Sequence, residues 1–181
     1  MSKLLSMKSA IPMALMVSVS FGLSAFTATP SSAQGIKAIG QHKDWTSYSY
    51  TENGHKVCFM NSVPKKAEGN YKKRGDIYLV VSHRAAEKRW DEISIQAGYS
   101  YRPDSQVTVS VGKSSYKFFT AGDSAWAYNQ ADDQKVIKAM IKGSSLIVRG
   151  VSGRGTKTKD TYSLSGFSAA YRAINQACGK K

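Results

Sequence analysis

Few residues in this chain have the types and spacing that chemistry demands. Ser62-Val63-Pro64-Lys65 matches the Ser-x-x-Lys of penicillin-recognising enzymes. That chemistry needs hydroxyl and amine on one helical turn, where Pro64 fits badly, and the partner signatures Ser-Asp-Asn and Lys-Thr-Gly do not occur. The stretch reads as a strand end followed by a basic turn. The glycine-rich run from Gly150 to Thr158 looks superficially like a phosphate-cradling loop. Lys157 does not follow its glycine directly, and strand periodicity, not a helix, comes next, so the helix-terminus anion site is missing. It reads as a hairpin carrying Arg149, Arg154, Lys157 and Lys159. Arg74-Gly75-Asp76 spells an integrin-type tripeptide but leads straight into an apolar strand, and reads as a turn. His42, His55 and His83 lack metal-ligand spacing. These patterns assign no catalytic residue, no metal and no cofactor.

Charge carries the stronger signal. The chain has 26 Lys+Arg against 12 Asp+Glu, a net charge of +14 over 181 residues. The basic residues cluster as Lys65 and Lys66, then Lys72, Lys73 and Arg74, then Arg84, Lys88 and Arg89 in loops flanking a central strand, with Arg154 and Lys157 on the later hairpin. Such an excess exceeds what solubility requires and predicts an anionic partner surface. Tyr71, Trp90 and Tyr101 lie close enough in sequence to stack on a sugar or a base.

These residues sit behind an address. Lys3 and Lys8 precede an apolar run from Ile11 to Phe26, and Ser31-Ser32-Ala33 offers small side chains for cleavage. Residues 1–33 read as a secretory signal peptide, with the cut after Ala33. Removing them takes two lysines and leaves a net charge of +12. No later segment is apolar for long enough to span a bilayer as a helix. Export to the periplasm makes nucleic acid an unexpected partner. In an oxidising compartment Cys58 and Cys178, the two cysteines, read as a disulfide.

The elements that position these groups are mostly strands. Residues 34–44 read as a flexible leader, and 45–181 as a single domain. Period-two alternation predicts strands over 45–50, 56–61, 76–82, 93–101, 106–111, 116–119, 145–150 and 157–164. Asn53-Gly54 predicts a tight hairpin turn. Ile77 to Val81 is apolar on both faces and belongs in a sheet centre. Two segments switch to helical period. In 132–142, Val136, Ile137, Met140 and Ile141 make one stripe; in 165–178, Phe167, Ala170, Tyr171, Ile174, Ala177 and Cys178 make another. The fold class is therefore mainly β, an antiparallel β-sandwich or partly open barrel. It has a short mid-chain helix and a C-terminal helix that a Cys58–Cys178 bond would tie to the sheet.

Several segments, taken in order, carry a family likeness: Arg74 to Arg84, Gly122 to Trp126, Lys142 to Gly150, and Asp160 to Ala170 closing on Ala177-Cys178. Together they resemble the invasion-associated locus B family of alphaproteobacterial exported proteins, over about Trp45 to Cys178. The resemblance implies a periplasmic or envelope protein of a family named for host-cell invasion, and it brings no catalytic residues. The leading expectation is a non-enzymatic module that meets an anionic envelope surface, or another envelope protein, through its basic residues. The alternatives are an enzyme acting on cell-wall or carbohydrate substrates, which needs carboxylates or His83 and Asp123 gathered in a cleft, and a chaperone-like partner offering a β edge.

Overall fold

The computed structural model describes residues 34–180; the segment 1–33 and its cleavage point lie outside the described residues. The strands are β1 (Gln34–His42), β2 (Trp45–Glu52), β3 (His55–Ser62), β4 (Lys66–Gly69), β5 (Tyr78–Arg84), β6 (Arg89–Gln96), β7 (Gln106–Val111), β8 (Ser114–Ala121), β9 (Ser124–Trp126), β10 (Ser145–Val151) and β11 (Lys157–Ser163). Helix α1 (Gln130–Lys142) lies between β9 and β10, and α2 (Phe167–Cys178) follows β11. All pairings are antiparallel, in one sheet ordered β1-β2-β3-β5-β6-β9-β8-β7-β10-β11-β4.

Alternation decides which face is buried. Val107, Val109 and Val111 of β7 point into the core, as do Ile93 and Ile95 of β6 and Leu79 and Val81 of β5. Tyr78 and Val80, on the other face of β5, are only half-buried, so that apolar run is one-sided after all. The β2–β3 hairpin turns through Asn53 and Gly54, with φ of 51° and 78°, the left-handed pair that a two-residue hairpin demands. The sheet also curls back on itself. Beyond Ser62 the chain crosses from β3 to β4, whose partner β11 lies at the far end of the strand order; Lys65 N–H donates to Thr161 O at 2.8 Å. The Trp45 indole donates to Ser163 O at 3.0 Å, so β2 and β11 meet as well. A partly open barrel results, with β1 left outside its closure.

Three further sequence expectations need correction, and two strands were not expected at all. Residues 34–44 are no loose leader: Gln34–His42 pairs with β2 from Thr51 to Trp45, with two register shifts. Its two large apolar residues, Ile36 and Ile39, are three apart and show no period-two alternation, yet its backbone is held by an edge. Strands β4 and β9, of four and three residues, are too short for a period to show. The strand expected over 93–101 stops at Gln96, because Gly98 adopts φ of 69° and packs on Gly75, whose N–H donates to Gly98 O at 2.9 Å. In α1, Ile141 is exposed, and Asp133 takes a buried place instead.

Helix α1 starts where Asn129 accepts the Asp132 N–H, with Asp132 and Asp133 in its first turn, favourable to the helix dipole. Helix α2 buries Phe167, Ala170 and Ile174, with the Phe167 ring edge-on to Trp45 at 5.0 Å, and ends at Gly179, with φ of 69°. Cys58 of β3 and Cys178 of α2 are disulfide-bonded, tying the last helix to the sheet.

Gly98 offers a local test. A Cβ there would lie 2.4 Å from Gly75 O, in a conformation side chains rarely adopt. Gly98→Ala is expected to cost about 2 kcal/mol or more in chemical denaturation, and to displace the loop that carries Lys72, Lys73 and Arg74.

Candidate functional site: a basic cleft

The loop after β4 and the β10–β11 turn face one another across a cleft of about 680 Å³. Lys72, Lys73 and Arg154 line it, together with Tyr71, Tyr99 and Thr156. Among the described residues, none of these three cations has an ion-pair partner. The floor is built on Arg74. Its side chain is 4% exposed, and it donates from both terminal nitrogens to the Asp160 carboxylate at 2.6 Å and from Nε to Ala97 O at 2.6 Å. The guanidinium also sits over the rings of Tyr99 and Tyr71, at 4.9 and 5.5 Å. Burial alone would lower its pKa, but the bonds to Asp160 and that residue's charge outweigh it, and the net shift is upward. Tyr99 and Thr158 join their hydroxyls at 2.6 Å on the adjoining wall.

The ten basic residues picked out in the sequence therefore fall into three sets. Lys72, Lys73 and Arg154 converge on the cleft, with Arg74 buried beneath them rather than facing solvent. Lys65, Lys66, Arg84 and Arg89 are paired, with Asp44 at 2.5 Å, Glu68 at 3.0 Å, Glu52, and Glu87 and Glu92 respectively. Lys88 and Lys157 are exposed and outside the cleft. Sequence clustering could find the cations but not Asp160 of β11 or Tyr99 in the loop after β6, which come from other parts of the chain. Of the three aromatics flagged for stacking, Tyr71 lines the cleft, Trp90 lines a separate groove and Tyr101 is core.

His83 is not near a catalytic partner in solvent. It is fully buried, bonds Asn175 Oδ1 through Nε2 at 2.7 Å, and accepts the Asp91 N–H at Nδ1 at 3.1 Å. Burial, with the Lys180 charge nearby, lowers its pKa. The Asp91 carboxylate is engaged by Tyr171 Oη–H at 2.6 Å and by Lys180. Asp123, the acid considered as its partner, is exposed and bonds Ser124. Among the described residues, no group of three or more His, Cys, Asp and Glu could hold a metal ion.

The second cavity, about 600 Å³, opens between β6, β8, β9 and the start of α1. Asp133 forms part of its wall; its Oδ1 accepts the Ile93 N–H at 3.0 Å. Burial pushes this carboxyl up to about 7, with the charges of Glu92, Asp91 and Asp132 adding to it against the Ile93 bond. A carboxyl raised above its unfolded value binds more protons folded than unfolded, so its contribution to stability is lost as pH rises. The wild type minus Asp133→Asn difference is expected to fall by about 1.4 kcal/mol per pH unit between about pH 4 and 7 and to level off above, in denaturation measured across pH.

Fold and cleft together define a curled, disulfide-tied antiparallel sheet that presents unpaired cations to solvent. The family model of the invasion associated locus B (IalB) protein matches residues 45–175, and the chain belongs to that family. A crystal structure of invasion associated protein b from Bartonella henselae has a similar fold, with a TM-score of 0.56 at 18% identity, over 78% of this chain and 97% of that one. Among curated proteins, none matches the sequence.

Proposed function

We propose that this protein is a non-enzymatic binding module that acts in the bacterial envelope, after export by its first 33 residues, and grips the anionic groups of an envelope surface in the cleft of Lys72, Lys73 and Arg154. The carrying observation is that these three unpaired cations converge from two separate loops, while most of the other candidate cations are neutralised within the fold. Phosphate, as found on lipopolysaccharide and on anionic lipid, suits lysine point charges beside an arginine fork. The family's name links it to invasion, and surface attachment is a step such a role would use. No helix among the described residues is long and apolar enough to cross a membrane, a statement that does not bear on strands. The enzymatic alternative finds little support: Asp160 is committed to Arg74, and Asp91 to Tyr171 and Lys180.

Residues 34–181, which carry every element described, are to be tested on vesicles of lipopolysaccharide, of anionic phospholipid and of zwitterionic phospholipid. Retention is expected on one or both anionic surfaces, and to weaken as salt screens the charges. K72Q/K73Q/R154Q should lower it about tenfold, whereas K113Q/K138Q/K142Q, with the same change in net charge, should lower it far less. Equal losses in the two variants would reduce the effect to bulk charge and remove the cleft from the account.

A further inference from the structure

The second cavity differs in kind from the basic cleft. Phe119 of β8 and Trp126 of β9 are directly paired across the sheet, with ring centroids 5.8 Å apart and planes at 29°. Tyr128 continues the surface, 5.6 Å from Phe119, and Trp90 contributes to the lining. Phe119 is 38% and Tyr128 52% exposed, which places large aromatic faces in contact with water. Gln106 Nε2 donates to Tyr128 Oη at 2.7 Å and holds that ring, while Gln130 Nε2 donates to the backbone carbonyl of Trp90 at 3.4 Å.

We propose that this groove binds a neutral sugar ring, which stacks on Phe119, Trp126 and Tyr128 and bonds a hydroxyl to Asp133. Charge and polarity select that ligand class. Among the described residues that line the groove, Arg89 is the one cation, and it is already engaged by Glu87 at 2.9 Å and by Glu92. With Glu92 and Asp133 also in the lining, an anion would meet carboxylates and no free positive charge. A purely apolar chain fares no better. It would cover the Asp133 carboxyl, whose Oδ2 has no hydrogen-bond partner among the described residues, and leave that oxygen without one. A sugar ring presents apolar C–H faces for stacking and hydroxyls that either donate to this carboxyl or accept from it. A largely apolar pocket with a few convergent polar groups is the usual form of a small-ligand site. This site stands independently of the basic cleft, so the protein would hold a charged group and a sugar ring at separate places.

The three tryptophan indole N–H resonances of residues 34–181 provide the test. Neutral tetrasaccharides of glucose, of galactose and of N-acetylglucosamine are to be titrated in turn, to tens of millimolar. At least one is expected to shift Trp90 and Trp126 saturably. Trp45, whose indole is bonded to Ser163 O inside the core, should stay fixed. Phe119→Ala and Tyr128→Ala remove exposed rings, so folded protein is expected from both, with affinity about tenfold weaker in each. K72Q/K73Q/R154Q should bind the sugar as wild type does, which separates failure of this site from failure of the cleft. The proposal is overturned if none of the three sugars shifts Trp126, if both ring variants bind as wild type, or if decanoate occupies the groove while the sugars do not.

Discussion

Asp160→Asn is expected to lower the unfolding free energy by about 3–5 kcal/mol, because it leaves the Arg74 guanidinium charged, buried and without its counterion. The pair lies 4% and 2% exposed, with each terminal guanidinium nitrogen on its own carboxylate oxygen, so water cannot readily replace the lost partner. Replacing both residues by apolar ones, R74M/D160L, should recover most of the loss, since the desolvation cost of the ion pair disappears with it. Denaturant unfolding of the two variants checks both statements. The single variant should also loosen the cleft, as Lys72 and Lys73 directly precede the anchored arginine. Wild-type stability in Asp160→Asn would mean that the pair does not hold the loop.

The second large effect belongs to the disulfide. Cys58 and Cys178 are 120 residues apart, so the bond restricts nearly the whole domain in its unfolded state. On chain-entropy grounds, C58A/C178A should lose up to about 4–5 kcal/mol. The loss should be felt first at α2, whose Phe167, Ala170 and Ile174 cover β2 and β3. Proteolysis of the variant is expected to begin at Arg172 or Lys180, at either side of the missing staple. A variant with an unchanged unfolding midpoint would show that packing alone secures the helix.

What could be read from the sequence follows from the range of the interactions involved. Strands with strong alternation, such as β7, matched their expected bounds, and the Asn53-Gly54 turn followed from local backbone preference. The Cys58–Cys178 pair was legible because two cysteines allow one connection. By contrast β1 is held by pairing to β2 and carries no pattern of its own. Strand β9 depends on β6 and β8 on either side. The cleft was half legible. Runs of lysine are visible in one dimension, but nothing near Arg74 announces that Asp160, far along the chain, will take it into the interior. Nor did alternation mark Phe119 and Trp126 as neighbours, since their pairing is a matter of register between strands. Asp133 lies off the Val136–Ile141 stripe that helical period marks, yet packing of α1 on β6 buries it.

On the proposed function, anions bind in the cleft and not wherever the surface is positive. Backbone amide mapping of residues 34–181 during titration with inorganic phosphate tests it most directly. The largest shifts are expected on Lys72, Lys73, Arg154 and Thr156, with little change at the paired Lys65 and Lys66. Shifts spread evenly over all exposed lysines, or centred on Lys88, would contradict it.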